Sequence, residues 1–107
     1  MIEKLEALLA KGQDSAGLRF ALANHYLKQG DSARAIEHAQ VAVTLEPDYS
    51  AAWRLLGQAQ AAAGRSEDAA ASFERGIEVA KQRGDRQVEK EMQVFLRRLR
   101  KAAGSED

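Results

Sequence analysis

The sequence predicts an all-α chain of about six helices stacked as antiparallel pairs. Three observations predict it. Residues recur at an interval of 34: Leu22 returns as Leu56, Gly30 as Gly64, Ser32 as Ser66 and Ala35 as Ala69. Apolar residues fall at helical spacing, punctuated by glycines and by the single proline. Alanine is abundant and β-branched residues are few, which favours helix over strand. A repeat of this length is one helix-turn-helix unit. It cannot bury its apolar face alone and must stack on neighbours.

Each helix follows from period and breakers. Ile2, Leu5, Leu8 and Leu9 mark a first helix that ends near Lys11-Gly12. Asp14-Ser15 can cap a second, which carries Leu18, Leu22 and Tyr26 and stops at Gly30. Asp31 or Ser32 caps a third with Ala35, Ile36, Ala39, Ala42 and Val43 inward. Pro47 ends it, because proline disfavours helix in the residue before it. Tyr49 to Gly64 reads as a fourth helix, with Trp53, Leu56 and Gln60 inward. Ser66 to Lys81 reads as a fifth, carrying Ala69, Ala70, Phe73, Gly76 and Ile77. After Gly84-Asp85, a sixth carries Val88, Met92, Phe95, Leu96 and Leu99. The short connections favour antiparallel neighbours, and no linker or second domain is visible.

Two copies of a pattern emerge. The second reads Trp53, Leu56, Gly57, Gln60, then Ala69 and Phe73, with Lys81 at the last slot. The first reads Arg19, Leu22, Ala23, Tyr26, then Ala35 and Ala39, with Pro47 at that slot. Together they resemble the tetratricopeptide repeat, whose signature runs W-x-x-L-G-x-x-Y, A-x-x-x-F, P. The resemblance implies a right-handed α-α superhelix. It divides a single domain, 1–103, into an N-terminal half-repeat helix (1–12), two repeats (15–48 and 49–82) and a capping helix (85–102). A disordered tail over 104–107 follows. Counting back 34 from Ala39, Ala42 and Val43 lands on Leu5, Leu8 and Leu9, so the first helix reads as the second half of a repeat. The last helix reads as the first half of another, with one residue inserted near Gly84. Val88, Met92 and Phe95 then take the places of Trp53, Gly57 and Gln60. Glycine inside a helix costs about 1 kcal/mol relative to alanine. Gly57 and Gly76 therefore predict a side chain seated against the backbone. Trp53 and Phe73 should fill seams between helices, each worth ~2–3 kcal/mol in transfer terms.

Composition narrows the function. Formal net charge is zero, so no global field draws nucleic acid or anionic membrane. Residues 81–101 are nevertheless +5, and the remainder −5. There is no cysteine, which removes thiolate chemistry, disulfides and Cys-type zinc sites. The amphipathic N-terminus lacks a signal-peptide core, and no apolar run approaches the ~20 residues of a membrane span. A cytoplasmic protein is expected. His25 and His38 lie on different helices without a second histidine at i+4, so no metal site is expected. No nucleophile elbow, P-loop or dinucleotide fingerprint is present, and neither catalysis nor a cofactor is expected.

The family resemblance places a concave groove on the second, fourth and sixth helices. Its candidate binding residues are Phe20, Asn24, Leu27, Arg54, Gln58, Arg86 and Gln93. The stripe on the sixth helix is Arg86, Glu89, Gln93, Leu96 and Arg97. This mixed surface suits an extended peptide or a partner helix. One subclass clamps acidic chaperone tails. Asn24 fills one of its slots and Arg86 and Lys90 two more, but Phe20 and Leu55 stand where a lysine and an asparagine are needed. The expected function is a non-catalytic adaptor for a protein or peptide. Two alternatives remain: homodimerisation through the first helix or Leu96 and Leu99, and nucleic-acid binding through Arg97, Arg98, Arg100 and Lys101.

Overall fold

The computed structural model describes residues 2–104. Six helices follow in order: α1 (Ile2–Ala10), α2 (Ala16–Lys28), α3 (Ser32–Leu45), α4 (Ser50–Ala62), α5 (Ser66–Arg83) and α6 (Arg86–Ala102). There is no strand among the described residues. The boundaries match the sequence reading to within two residues. Of the tail, only Gly104 is described; residues 105–107 lie outside the described residues.

Local chemistry sets the helix ends. Ser15 accepts the Leu18 N–H and Asp31 accepts the Arg34 N–H, each satisfying a donor that a helix N-terminus leaves without a partner. Pro47 stops α3 at Leu45. Lys81 holds the equivalent slot in α5 and donates normally to the helix. That helix therefore runs through the slot to Arg83, 18 residues against 14 for α3. Gly84 closes it at φ 75, a left-handed conformation that glycine adopts without a Cβ clash.

The longer α5 changes the register of α6. Helix α4 starts 34 residues after α2, but α6 starts 36 after α4. The shift is thus two residues, not the one read from the sequence. Met92 takes the place of Leu56, and both are almost fully buried. Leu96 takes the place of Gln60.

Packing is sequential. Each helix packs on the next, and α4 also touches both α2 and α6, whereas α3 and α5 do not touch. The row α2–α4–α6 is therefore the tighter, inner row, and α3 and α5 splay outward. The stack measures 50 × 29 × 19 Å. Three buried clusters hold it together. Leu22, Tyr26 and Ala35 receive Ile2, Leu5 and Leu9 of α1. Ala23, Ala39, Ala42 and Val43 meet Ala52, Leu55 and Leu56 of α4. Phe73, Ala69 and Ala80 meet Met92 and Leu96 of α6. Trp53 packs against the second and third of these, and its indole N–H donates to the Pro47 carbonyl at 2.8 Å.

Gly57 and Gly76 are spatially required, whereas Gly17 of α2 has open space around it. A methyl group on Gly57 would lie 2.5 Å from Phe73 Cε1. One on Gly76 would lie 2.7 Å from Trp53 Cβ and 2.5 Å from Met92 Sδ. In the first repeat the two glycines correspond to Ala23 and Ala42, and Phe73 corresponds to Ala39; all three alanines are fully buried.

Candidate functional site: the inner face of the stack

The inner face is built from the sides of α2, α4 and α6 that the outer helices leave uncovered. Phe20, Asn24 and Leu27 of α2 are half-buried there. Phe20 and Leu27 pack against the Ala52–Leu55–Leu56 cluster. Phe20 also stacks on Tyr49, with ring centroids 5.2 Å apart and planes 28° apart. Tyr49 stands at the α4 N-terminus, where burial pushes its phenol above the ordinary value. On α4, Ala51, Arg54, Gln58 and Ala61 continue the half-buried stripe.

The sixth helix contributes different residues from those expected. Arg54 donates to Glu91 at 2.6 Å, and the two side chains are 26% and 39% exposed. Gln58 shares a cavity with Phe95 and Arg98. A two-residue shift puts Gln87, Glu91, Val94 and Arg98 on the inner face. Gln93 lines a cavity with Lys81 and Gly84, beside the end of α5, while Arg86 borders both that cavity and one with Gln87, Glu91 and Val94. Gln93 is turned toward Glu89, to which it donates at 3.2 Å. Leu96 is buried in the core, so it belongs to no groove. The last two slots of the acidic-tail clamp now fall on Gln87 and Glu91, and neither is a cation. Arg54 is also less cationic in effect than its sequence suggests, because Glu91 sits on it.

Leu55 and Glu91 occupy equivalent positions on α4 and α6. The first lies in the cluster that receives Phe20, and the second receives Arg54. An apolar junction between α2 and α4 is thus replaced by an ionic one between α4 and α6. In the sequence Glu91 stands among other charges of the same helix, Glu89 and Lys90. Only the correct register pairs it with Arg54.

A second polar cluster lies in the first repeat. Arg19, at the slot that Trp53 fills in the second repeat, donates to both oxygens of Asp14 at 2.8 and 2.9 Å. Its Nη1 lies 3.0 Å from Nδ1 of the buried His38. A guanidinium has no acceptor, so this Nδ1 is the unprotonated ring nitrogen. Burial, then the Arg19 charge, holds the His38 imidazole below its ordinary range. The His38 ring stacks on Tyr26 at 5.6 Å, the Arg34 guanidinium lies 5.3 Å from the Tyr26 centroid, and Tyr26 donates to Glu6 of α1. His38 is thus a satisfied core residue, and no group of metal-ligating side chains forms among the described residues.

On the terminal helix Leu96 is buried, whereas Leu99 is half-buried and borders an open cavity with Phe95 and Arg98. Among the described residues the exposed large apolar side chains are Leu8 and Leu45. No described helix is long and apolar enough to cross a membrane.

Comparison with known proteins agrees with this architecture. A model of the tetratricopeptide repeat matches residues 2–49 and again 20–85. A TPR repeat-containing protein of Pseudomonas aeruginosa is 53% identical over 102 residues, covering 95% of this chain and 97% of that one. The solution structure of a Bordetella parapertussis protein is 41% identical, with a TM-score of 0.83 over 97% of this chain and 90% of that one. The crystal structure of a tetratricopeptide repeat domain protein from Salinibacter ruber is 29% identical, with a TM-score of 0.74 over 80% and 96% of the two chains. With its 34-residue period, its alternating inner and outer helices and these matches, the chain belongs to the tetratricopeptide repeat family.

Proposed function

We propose that this protein is a non-catalytic scaffold that holds a protein or peptide segment along the inner face of α2, α4 and α6. Tetratricopeptide repeats are in general protein-interaction modules. One observation carries the reading for this chain. Phe20, Leu27, Tyr49, Ala51, Ala61 and Val94 are half-buried on α2, on α4 and its N-terminus, and on α6, and no described helix lies over that side of the row. Within it, Asn24 and Gln58 offer hydrogen bonds, and the Arg54–Glu91 pair offers both signs of charge. Such a surface fits an extended segment or one face of a helix. Helices α1 and α6 act as half-repeats that close the two ends, and the proposed setting is the cytoplasm.

The test is affinity capture from the native cell with the wild-type chain, with Arg54→Glu and with Asn24→Ala. The reading expects a partner that is retained by wild type and lost or strongly depleted with both variants. An unchanged captured set contradicts the groove assignment.

A further inference from the structure

We infer that the C-terminal half of the inner face is a socket for one bulky apolar side chain flanked by carboxylates, presented by a partner protein. The inference rests on the inner-face reading and names the ligand chemistry of one part of it. Between α4 and α6 lies an open cavity of about 420 Å³. Ala61 and Gln58 form one wall, and Leu99 and Ala102 the other. Its floor is aromatic: Phe73 and Phe95 stack with centroids 5.6 Å apart and planes 20° apart. Phe73 is 1% exposed and cannot move out, because Gly57 and Ala69 hold it in place. Phe95 is only half-buried, so its free surface faces the cavity. An apolar side chain seated there would remove this surface from water.

The charge around the socket has one sign. Arg98 stands in its wall, and Arg97 and Lys101 lie within a turn on the same helix, all three exposed. None of the three has an ion-pair partner among the described residues, whereas Arg100, on the side facing α5, is paired with Glu74 at 2.5 Å. Three uncompensated cations beside an apolar hole complement a segment that carries Asp or Glu next to a large apolar residue. A base is a poorer occupant than an aliphatic or aromatic side chain. Stacking platforms expose whole ring faces, and here one of the two rings is wholly covered.

The experiment uses the full chain, labelled with ¹⁵N, and a capped peptide of sequence Glu-Glu-Phe-Leu-Glu-Glu as probe. Amide shifts are expected at Ala61, Phe95, Leu99 and Ala102. Affinity should fall at least fivefold with Arg98→Glu, and also when Lys replaces every Glu of the peptide. Replacing its Phe-Leu by Ser-Ser should abolish the shifts. Shifts confined to Phe20 and Leu27 would overturn the socket while leaving the inner face as a binding surface. Absence of shifts with every peptide, or equal shifts with the Ser-Ser peptide or an oligothymidylate, would also overturn it. The capture experiment above judges the inner face separately, without this peptide.

Discussion

Gly57 of α4 lies directly against the Phe73 ring of α5, so close that a single added methyl would lie 2.5, 2.7 and 2.8 Å from the ring carbons Cε1, Cδ1 and Cζ. The Phe73 side chain is 1% exposed and stacks on Phe95, so it cannot retreat. Gly57→Ala therefore overpacks the seam and should destabilise the protein by about 1–3 kcal/mol, despite alanine's better helix propensity. In a Phe73→Ala background, itself costing about 3–5 kcal/mol, the same change should become neutral or stabilising. Chemical denaturation of the four proteins in this cycle measures the coupling. Additive effects would show that the glycine is not there for the ring.

The ionic junction between α4 and α6 is open to solvent on both sides. Arg54 and Glu91 should therefore couple by no more than about 1 kcal/mol in a double-mutant cycle, and the coupling should shrink in high salt. Replacing the pair by an apolar one, Arg54→Phe with Glu91→Leu, copies the Phe20–Leu55 junction. That double variant should be at least as stable as wild type. A thermal scan in which it melts well below both single variants would contradict the equivalence of the two junctions.

His38 predicts a pH dependence whose sign is fixed. Burial and the Arg19 charge depress its folded pKa below the ordinary 6.5, so the unfolded chain takes up a proton that the folded chain refuses. Asp14, Glu6 and Glu37 face the ring with charges of the opposite sign but do not reverse the shift. The stabilising contribution is complete above pH 6.5 and declines as the pH drops below it toward the folded value. Asp14, held low by its hydrogen bonds from Arg19, loses its contribution only below its ordinary 3.8. Melting temperatures between pH 7.5 and 5 should therefore fall in wild type and flatten in His38→Gln. Equal slopes in the two proteins would remove His38 as the cause.

Much of this was legible in the residues. The 34-residue period, the glycines at helix ends and the cap at Asp31 are local signals, and local geometry obeys them. The α2 and α4 parts of the inner face, Phe20, Asn24, Leu27, Arg54 and Gln58, follow from the same unbroken register. The α6 part does not. Its register depends on how far α5 continues once lysine replaces proline, and a helix gives no sequence mark for an extra half-turn when good helix formers follow. A one-residue misplacement turned the helix by about 100°, the angle between successive residues at 3.6 per turn. That rotation put Gln93 at the register of Val94, while Arg86 borders the same cavity as Gln87 and Val94. The Arg19–His38–Tyr26 cluster was illegible for another reason. It joins Arg19, which stands at the tryptophan slot, to Tyr26, which matches the repeat, and to His38, which stands at no signature slot, and only their juxtaposition shows that a polar network has replaced an indole.

The proposed role stands on the difference between the two sides of the stack. The most direct measurement is site-specific photocrosslinking in the native cell, with a benzophenone side chain at Asn24 or Gln58 on the inner row and at Gln40 or Arg75 on the outer row. Partner adducts should form from the two inner positions and not from the two outer ones. Adducts formed only from Gln40 or Arg75 would contradict the account.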